Sequence, residues 1–190
     1  MVRHASIPPC ILLASRSQYR SCHVEVPDLE QRMPAIVVGD RYYSFFKAVA
    51  DGRKALSIAI KLIYRGDQIA IAQTSKTYGI WIWEPDARSV ASARPARLSE
   101  TPIAEPAPCK ILITHDLYQS LTIKVPDLDQ DVAAVTADGK YYSIFRVEPE
   151  ADKLLEITAK IAQRGDETAI VKIDRGYAIC IWEPDAQPVS

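Results

Sequence analysis

Along residues 52–66, GRKALSIAIKLIYRG, apolar side chains return at positions 55, 56, 59, 62 and 63, a spacing that gathers them on one face of a helix. Residues 151–165, ADKLLEITAKIAQRG, carry the same pattern. Asp51 and Glu150 stand near the starts of these segments, where an acid suits the positive end of the helix dipole. Gly66 and Gly165 follow their ends and predict a left-handed stop. Elsewhere the pattern is that of strands. CILLA (10–14) and CKILIT (109–114) are short apolar runs, while HVEV (23–26) and TIKV (122–125) alternate polar with β-branched residues and end at Pro27 and Pro126. AAVTA-DG-KYYSIFR predicts a hairpin turning on Asp138-Gly139, because type I′ turns need positive φ, and AIVV-GD-RYYSFFK is its weaker counterpart. A second hairpin is predicted in each half, closing on the strands YGIWIWEP and YAICIWEP that Pro85 and Pro184 terminate.

Every element thus occurs twice. A shift of 99 positions aligns residues 10–90 with 109–189 without a gap, and 32 of the 81 pairs are identical. Shared pieces include VPDL, YYS, RGD and WEPDA. The expected organisation is a loose segment 1–9, a unit 10–87, a Pro/Ala/Ser-rich linker 88–108 and a second unit 109–187. Each unit reads β-β-β-β-α-β-β, an α+β arrangement of one helix on a mostly antiparallel sheet.

In YGIWIWEP, Ile80 and Ile82 point to one face of the strand while Trp81 and Trp83 point to the other. One helix covers only one of those faces, and a unit of about 80 residues buries only roughly 60–65% of its unfolded surface. The other copy is therefore expected to cover the second face, so that the two units pack as a pseudo-twofold dimer within one chain. Charge is compatible with such docking. Residues 10–90 carry 11 basic against 8 acidic side chains, net +3, and residues 109–190 carry 9 against 14, net −5.

Taken together, the chain has a formal net charge of −1 and a pI near 6.3. It holds no apolar run of the roughly 18 residues a membrane helix needs, and no signal-peptide pattern, so a cytoplasmic protein without membrane contact is expected. Cys10, Cys22, Cys109 and Cys180 form no C-x-x-C pair, and Cys22 and Cys180 stand where the other half has Leu121 and Trp81. They read as small buried hydrophobes, with neither a disulfide frame nor a metal site expected.

Candidate chemistry is sparse. RGD at 65–67 and 164–166 directly follows a helix, which makes it a cap. WEPDA puts Glu84, Asp86, Glu183 and Asp185 at strand exits, where carboxylates serve as acid and base or hold a cation, but a Pro-Asp turn explains them without chemistry. An enzyme built on Asp67, Glu84, Asp166 and Glu183 would need a pocket in which two of them converge. His4, His23 and His115 occupy non-equivalent places, Ser44 and Ser143 lack a G-x-S-x-G context, and no phosphate-binding glycine motif is present. KYYSIFRV sets a basic residue beside strand aromatics, as RNA-binding sheets do, but Tyr141 replaces the first glycine of that pattern and the chain is not basic, which disfavours nucleic acid.

The succession of helix, RGD[QE], strand and Y-x-I-x-I-W-E-P-D-A, present at 65–87 and 164–186, resembles small uncharacterised cyanobacterial proteins and covers most of each unit. The resemblance implies no activity, cofactor or catalytic residue. The sequence therefore leads to a non-enzymatic, cofactor-free protein-binding or regulatory module, its two repeats docked on each other and its partner another protein. The alternative is a sensor of small molecules or single-stranded nucleic acid that uses aromatic side chains in the groove between the units. Candidate binding residues are Tyr43, Trp81, Trp83, Glu84, Tyr142, Trp182 and Glu183.

Overall fold

A computed structural model describes residues 7–27, 31–90 and 105–189. The first half runs β1 (Cys10–Leu13), β2 (Arg20–Glu25), β3 (Met33–Val38), β4 (Arg41–Val49), α1 (Gly52–Arg65), β5 (Ile69–Gln73), β6 (Tyr78–Trp83) and β7 (Arg88–Ser89). The second runs β8 (Cys109–Leu112), β9 (Gln119–Lys124), β10 (Val132–Ala137), β11 (Lys140–Glu148), α2 (Ala151–Gln163), β12 (Thr168–Ile173), β13 (Gly176–Trp182) and β14 (Gln187–Pro188). This is an α+β fold with a mostly antiparallel sheet and two helices. The strands form one sheet in the order β14-β9-β10-β11-β13-β12-β8-β1-β5-β6-β4-β3-β2-β7. Among its pairings only β1 with β5 and β8 with β12 are parallel. The two halves meet in the middle, where Cys10 of β1 lies opposite Cys109 of β8 in an antiparallel pair.

The local signals act as their chemistry requires. Asp51 accepts a hydrogen bond from the Lys54 amide at 2.8 Å and caps α1, whereas Glu150 makes no such bond to α2. Gly66 adopts φ 101°, its amide reaching Ile63 O at 2.9 Å and that of Asp67 reaching Leu62 O at 3.0 Å. Arg65 closes over this turn onto Asp67, with Nη2 to Oδ2 at 2.6 Å, so the first RGD is a helix stop braced by its own ion pair. Asp138 and Gly139 have φ of 51° and 75°, as a type I′ turn demands, while in the equivalent pair Gly39-Asp40 only Gly39 is positive, at 59°. β4 and β11 carry matching bulges, between Phe45 and Lys47 and between Ile144 and Arg146.

Two features were not expected. The chain does not stop pairing after Pro85 or Pro184. The WEPDA turn swings it round to the far edge of the sheet, where β7 pairs with β2 and β14 with β9. Arg88 and Ser89, assigned to the linker, are thus strand residues, and its last part docks too, with the Ala107 amide on Ala162 O at 2.9 Å and the Thr168 amide on Pro108 O at 3.1 Å. Residues 91–104 of the linker and 1–6 of the N-terminal segment lie outside the described residues, while Ile7 packs against the core.

The second difference concerns which face the halves share. α1 and α2 lie on the same side of the sheet and enclose one continuous core with Leu12, Ile71 and Ile80 from one half and Ile111, Ile170 and Ile179 from the other. The opposite face is closed separately within each half. Ile11, Leu13, Tyr19, Ile36, Val38 and Tyr43 bury one another with Trp81 and Trp83 at the margin, and Leu112, Tyr118, Val135, Ala137 and Tyr142 do so in the second half. The expectation that the twin copy covers the tryptophan face is corrected. Strands of each half supply enough side chains to fill that face, with small Ala70 and Ala72 beneath the larger ones, whereas the helix side needs both helices to become dry.

Candidate functional site: a cleft between the two halves

The start of β4 brings Arg41 and Tyr43 to one end of the first half, and the turn after α1 brings Gln68 to the same end. In the second half Lys140, Tyr142 and Glu167 hold the equivalent positions. Glu167 is almost enclosed, and its two oxygens are both used. Oε1 accepts from the Tyr142 hydroxyl at 2.6 Å and Oε2 from Lys140 Nζ at 2.5 Å, while Lys140 also sits 4.5 Å over the Trp182 ring. Burial first, and then the hydrogen bond to that carboxylate, hold the Tyr142 phenol far above its ordinary pKa. Tyr43 is raised as well by burial, with a hydrogen bond from Arg41 pulling the other way. Arg41 lies 5.8 Å over the ring of Trp83.

These groups border a cleft of about 580 Å³ that both halves line: Ile11, Arg41, Tyr43 and Gln68 from one side, Glu167 and Trp182 from the other. Residues 105–108 form its rim, with Glu105 bringing a further carboxylate. The volume falls in the range of roughly 300–1,000 Å³ typical of small-molecule sites.

The candidate residues separate into three groups. Tyr43 and Tyr142 are 1% and 0% exposed, so neither presents a ring face on which a base could stack, although the Tyr43 side chain borders the cleft. Glu84 and Glu183 are held by hydroxyls: Ser44 Oγ donates to Glu84 Oε1 at 2.6 Å, and Ser143 Oγ to Glu183 Oε1 at 2.6 Å. Their backbone amides bond Tyr42 O and Tyr141 O, both at 2.9 Å. YYS and WEPDA are therefore two ends of one clamp that fixes the turn into β7 or β14. Trp81 is half-buried edge-on against Phe45, its ring nitrogen without a partner among the described residues, and Trp83 lies half-buried beneath Arg41. Of the seven, Trp182 is the one whose exposed ring walls the cleft, at 36% exposure.

Asp67, Glu84, Asp166 and Glu183 do not converge there, since none of the four lines the cleft. Sequence reasoning did not single out Arg41, Gln68, Lys140 and Glu167 as site residues, because they stand at the ends of the repeated YYS and RGD stretches and differ between the halves. The available signal was the comparison of halves, in which a Lys-Glu combination at 140 and 167 faces Arg-Gln at 41 and 68. Among the described residues no group of three His, Cys, Asp or Glu side chains is placed to hold a metal ion, and no helix is long and apolar enough to cross a membrane. No protein-family model, curated protein or solved structure matches the chain.

Proposed function

We propose that the chain is a non-enzymatic regulatory module, built as an intramolecular pseudo-dimer of two tandem repeats, that binds a small molecule in the cleft between them. The single observation behind this is the cleft itself: about 580 Å³, open to solvent, with walls from both halves and a half-exposed indole at its mouth. The pseudo-dimer reading is supported by the shared core, by the Cys10–Cys109 strand pairing and by the meeting of the two helix starts. A ligand that touches both halves is suited to report on how they sit together. The carboxylates of the repeated motifs favour a structural role, since Asp67 is spent on Arg65, and Glu84 and Glu183 on serine hydroxyls. Binding is tested by amide and indole NMR of the intact chain during titration with a small-metabolite panel. Saturable shifts confined to Arg41, Gln68, Gly165 and Trp182 are expected, and a panel that leaves all four unmoved overturns the reading.

A second reading, docking of another protein, has its own observation. Ile144, Phe145 and Val147 at the β11 bulge are 40%, 57% and 47% exposed, an apolar strip of three side chains in four positions. A partner recovered by the native chain, lost with Phe145→Asp and kept with Trp182→Ala, would favour that strip over the cleft. Stacking of single-stranded nucleic acid has less support, because the tyrosines offered as platforms are buried.

A further inference from the structure

The second half holds a carboxylate in a way that the first half is equipped to copy but does not. Glu167 fills the space between the Tyr142 hydroxyl and Lys140, accepting from both. In the first half Tyr43 and Arg41 stand at the equivalent positions, and Gln68 takes the place of the glutamate. Among the described residues the Gln68 side chain makes no hydrogen bond and Arg41 has no carboxylate partner, so one half is internally neutralised and the other presents a guanidinium to the cleft. Arg41 and Tyr43 stand together in the lining of the cleft, a cation beside a phenol.

We infer that the Arg41–Tyr43–Gln68 corner of the cleft takes the carboxylate of a small monocarboxylic acid, which occupies in the first half the role that the Glu167 side chain plays in the second. This rests on the cleft being a small-molecule site, and it names the ligand class. Arginine suits the task because its planar fork meets both oxygens of a carboxylate. Charge sets the upper limit at one negative group, since Glu105 and Glu167 line the same cleft and repel a second. The remaining wall of Ile11, Pro106, Pro108 and Trp182 asks for an apolar, preferably flat, body.

The assignment is tested on the full chain by calorimetry and by Trp182 indole NMR with butyrate, benzoate and phenylacetate, each set against its amide. The acids are expected to bind at one site per chain, and the amides at least about tenfold more weakly, the loss of one charge-assisted hydrogen-bond pair. Gln68→Glu supplies an internal carboxylate and should abolish binding while leaving the melting temperature unchanged or raised. Glu167→Gln frees the second half and should raise the stoichiometry towards two. Equal binding of acids and amides, both lost in Trp182→Ala, would overturn the carboxylate assignment and leave the cleft reading standing. Acids that shift no cleft resonance at tens of millimolar would overturn the assignment, and if the wider metabolite panel also fails, the cleft reading falls separately.

Discussion

The backbone amide of Gly52, the first residue of α1, donates to Oδ1 of Asp152 in the first turn of α2 at 2.9 Å. The same oxygen accepts from the Tyr78 hydroxyl at 2.9 Å, so one carboxylate of the second half satisfies two donors of the first. It acts as a helix cap supplied from another helix, and a negative charge at that place also favours the positive end of the α1 dipole. The approach is possible only because residue 52 has no side chain. A Cβ there would lie 2.7 Å from the Asp152 backbone nitrogen and 2.9 Å from Ala151 C.

Gly52→Ala is therefore expected to destabilise the chain by about 1–3 kcal/mol, since the neighbouring atoms are backbone and cannot turn aside. Asp152→Ala should cost a similar amount, about 1–3 kcal/mol, by leaving the amide and the hydroxyl unpaired. Urea denaturation measures both. A Gly52→Ala midpoint equal to the native one would mean that the helix starts do not meet as described.

The clamp between YYS and WEPDA gives a second test. Ser44 is buried and its hydroxyl lies 2.6 Å from Glu84 Oε1, with the Glu84 amide on Tyr42 O. A double-mutant cycle of Ser44→Ala and Glu84→Gln should return a coupling of about 1–2 kcal/mol, below the upper range for a charged acceptor because Glu84 is only half-buried. The single variants should leave monocarboxylate binding intact, because neither residue lines the cleft. A coupling near zero would mean that Ser44 and Glu84 do not hold the turn together.

What could be read from the chain beforehand follows a physical division. The helices, their stops at Gly66 and Gly165 and the Asp138-Gly139 turn rest on interactions within a few residues, and these are written in the local pattern. β7 and β14 could not be read, since Arg88-Ser89 and Gln187-Pro188 have no strand character of their own and pair only because the clamp delivers them to β2 and β9. The face shared by the halves was misassigned for a similar reason. Alternation at Ile80, Trp81, Ile82 and Trp83 says that both faces are apolar but not which neighbour covers each. In the cleft, Trp182 was visible as an aromatic at a strand end, whereas Arg41 and Gln68 acquire meaning only beside Lys140 and Glu167, on strands and turns far apart in the chain.

Thr168 begins β12 fully buried, and its hydroxyl has no partner among the described residues. Its counterpart in the first half is Ile69, equally buried, so this position tolerates an apolar side chain in the same setting. Thr168→Val keeps the shape and removes the stranded hydroxyl. It should stabilise the chain by about 1 kcal/mol, read as a higher urea midpoint at unchanged slope. A loss of stability would reveal that the hydroxyl has an acceptor.

Cys10 and Cys109 face one another at the junction of the halves, and Cys180 lies in the neighbouring core of the second half. The hydrogen bond to Cys109, reinforced by burial, holds the Cys10 thiol well above its ordinary value of 9.0. Burial, helped by the proximity of Cys109, pushes Cys180 to about 12. The unfolded chain releases these protons near pH 9, whereas the folded chain retains them. Above that pH the unfolded state thus binds fewer protons, and stability falls as pH rises. The contribution is complete below pH 9 and, for Cys180, is lost between about 9 and 12, at up to about 1.4 kcal/mol per pH unit while the difference in bound protons persists. Urea denaturation from pH 8 to 11 should show this decline, and Cys180→Ala should make it shallower by close to one proton's worth even though the cavity lowers stability at every pH. Cys10, Cys109 and Cys180, all buried, should also resist a disulfide reagent at pH 8 until the chain is unfolded. A flat stability profile through pH 10.5, or prompt labelling of Cys10 in the folded chain, would mean that the junction of the two halves is open to water rather than closed around its paired thiols.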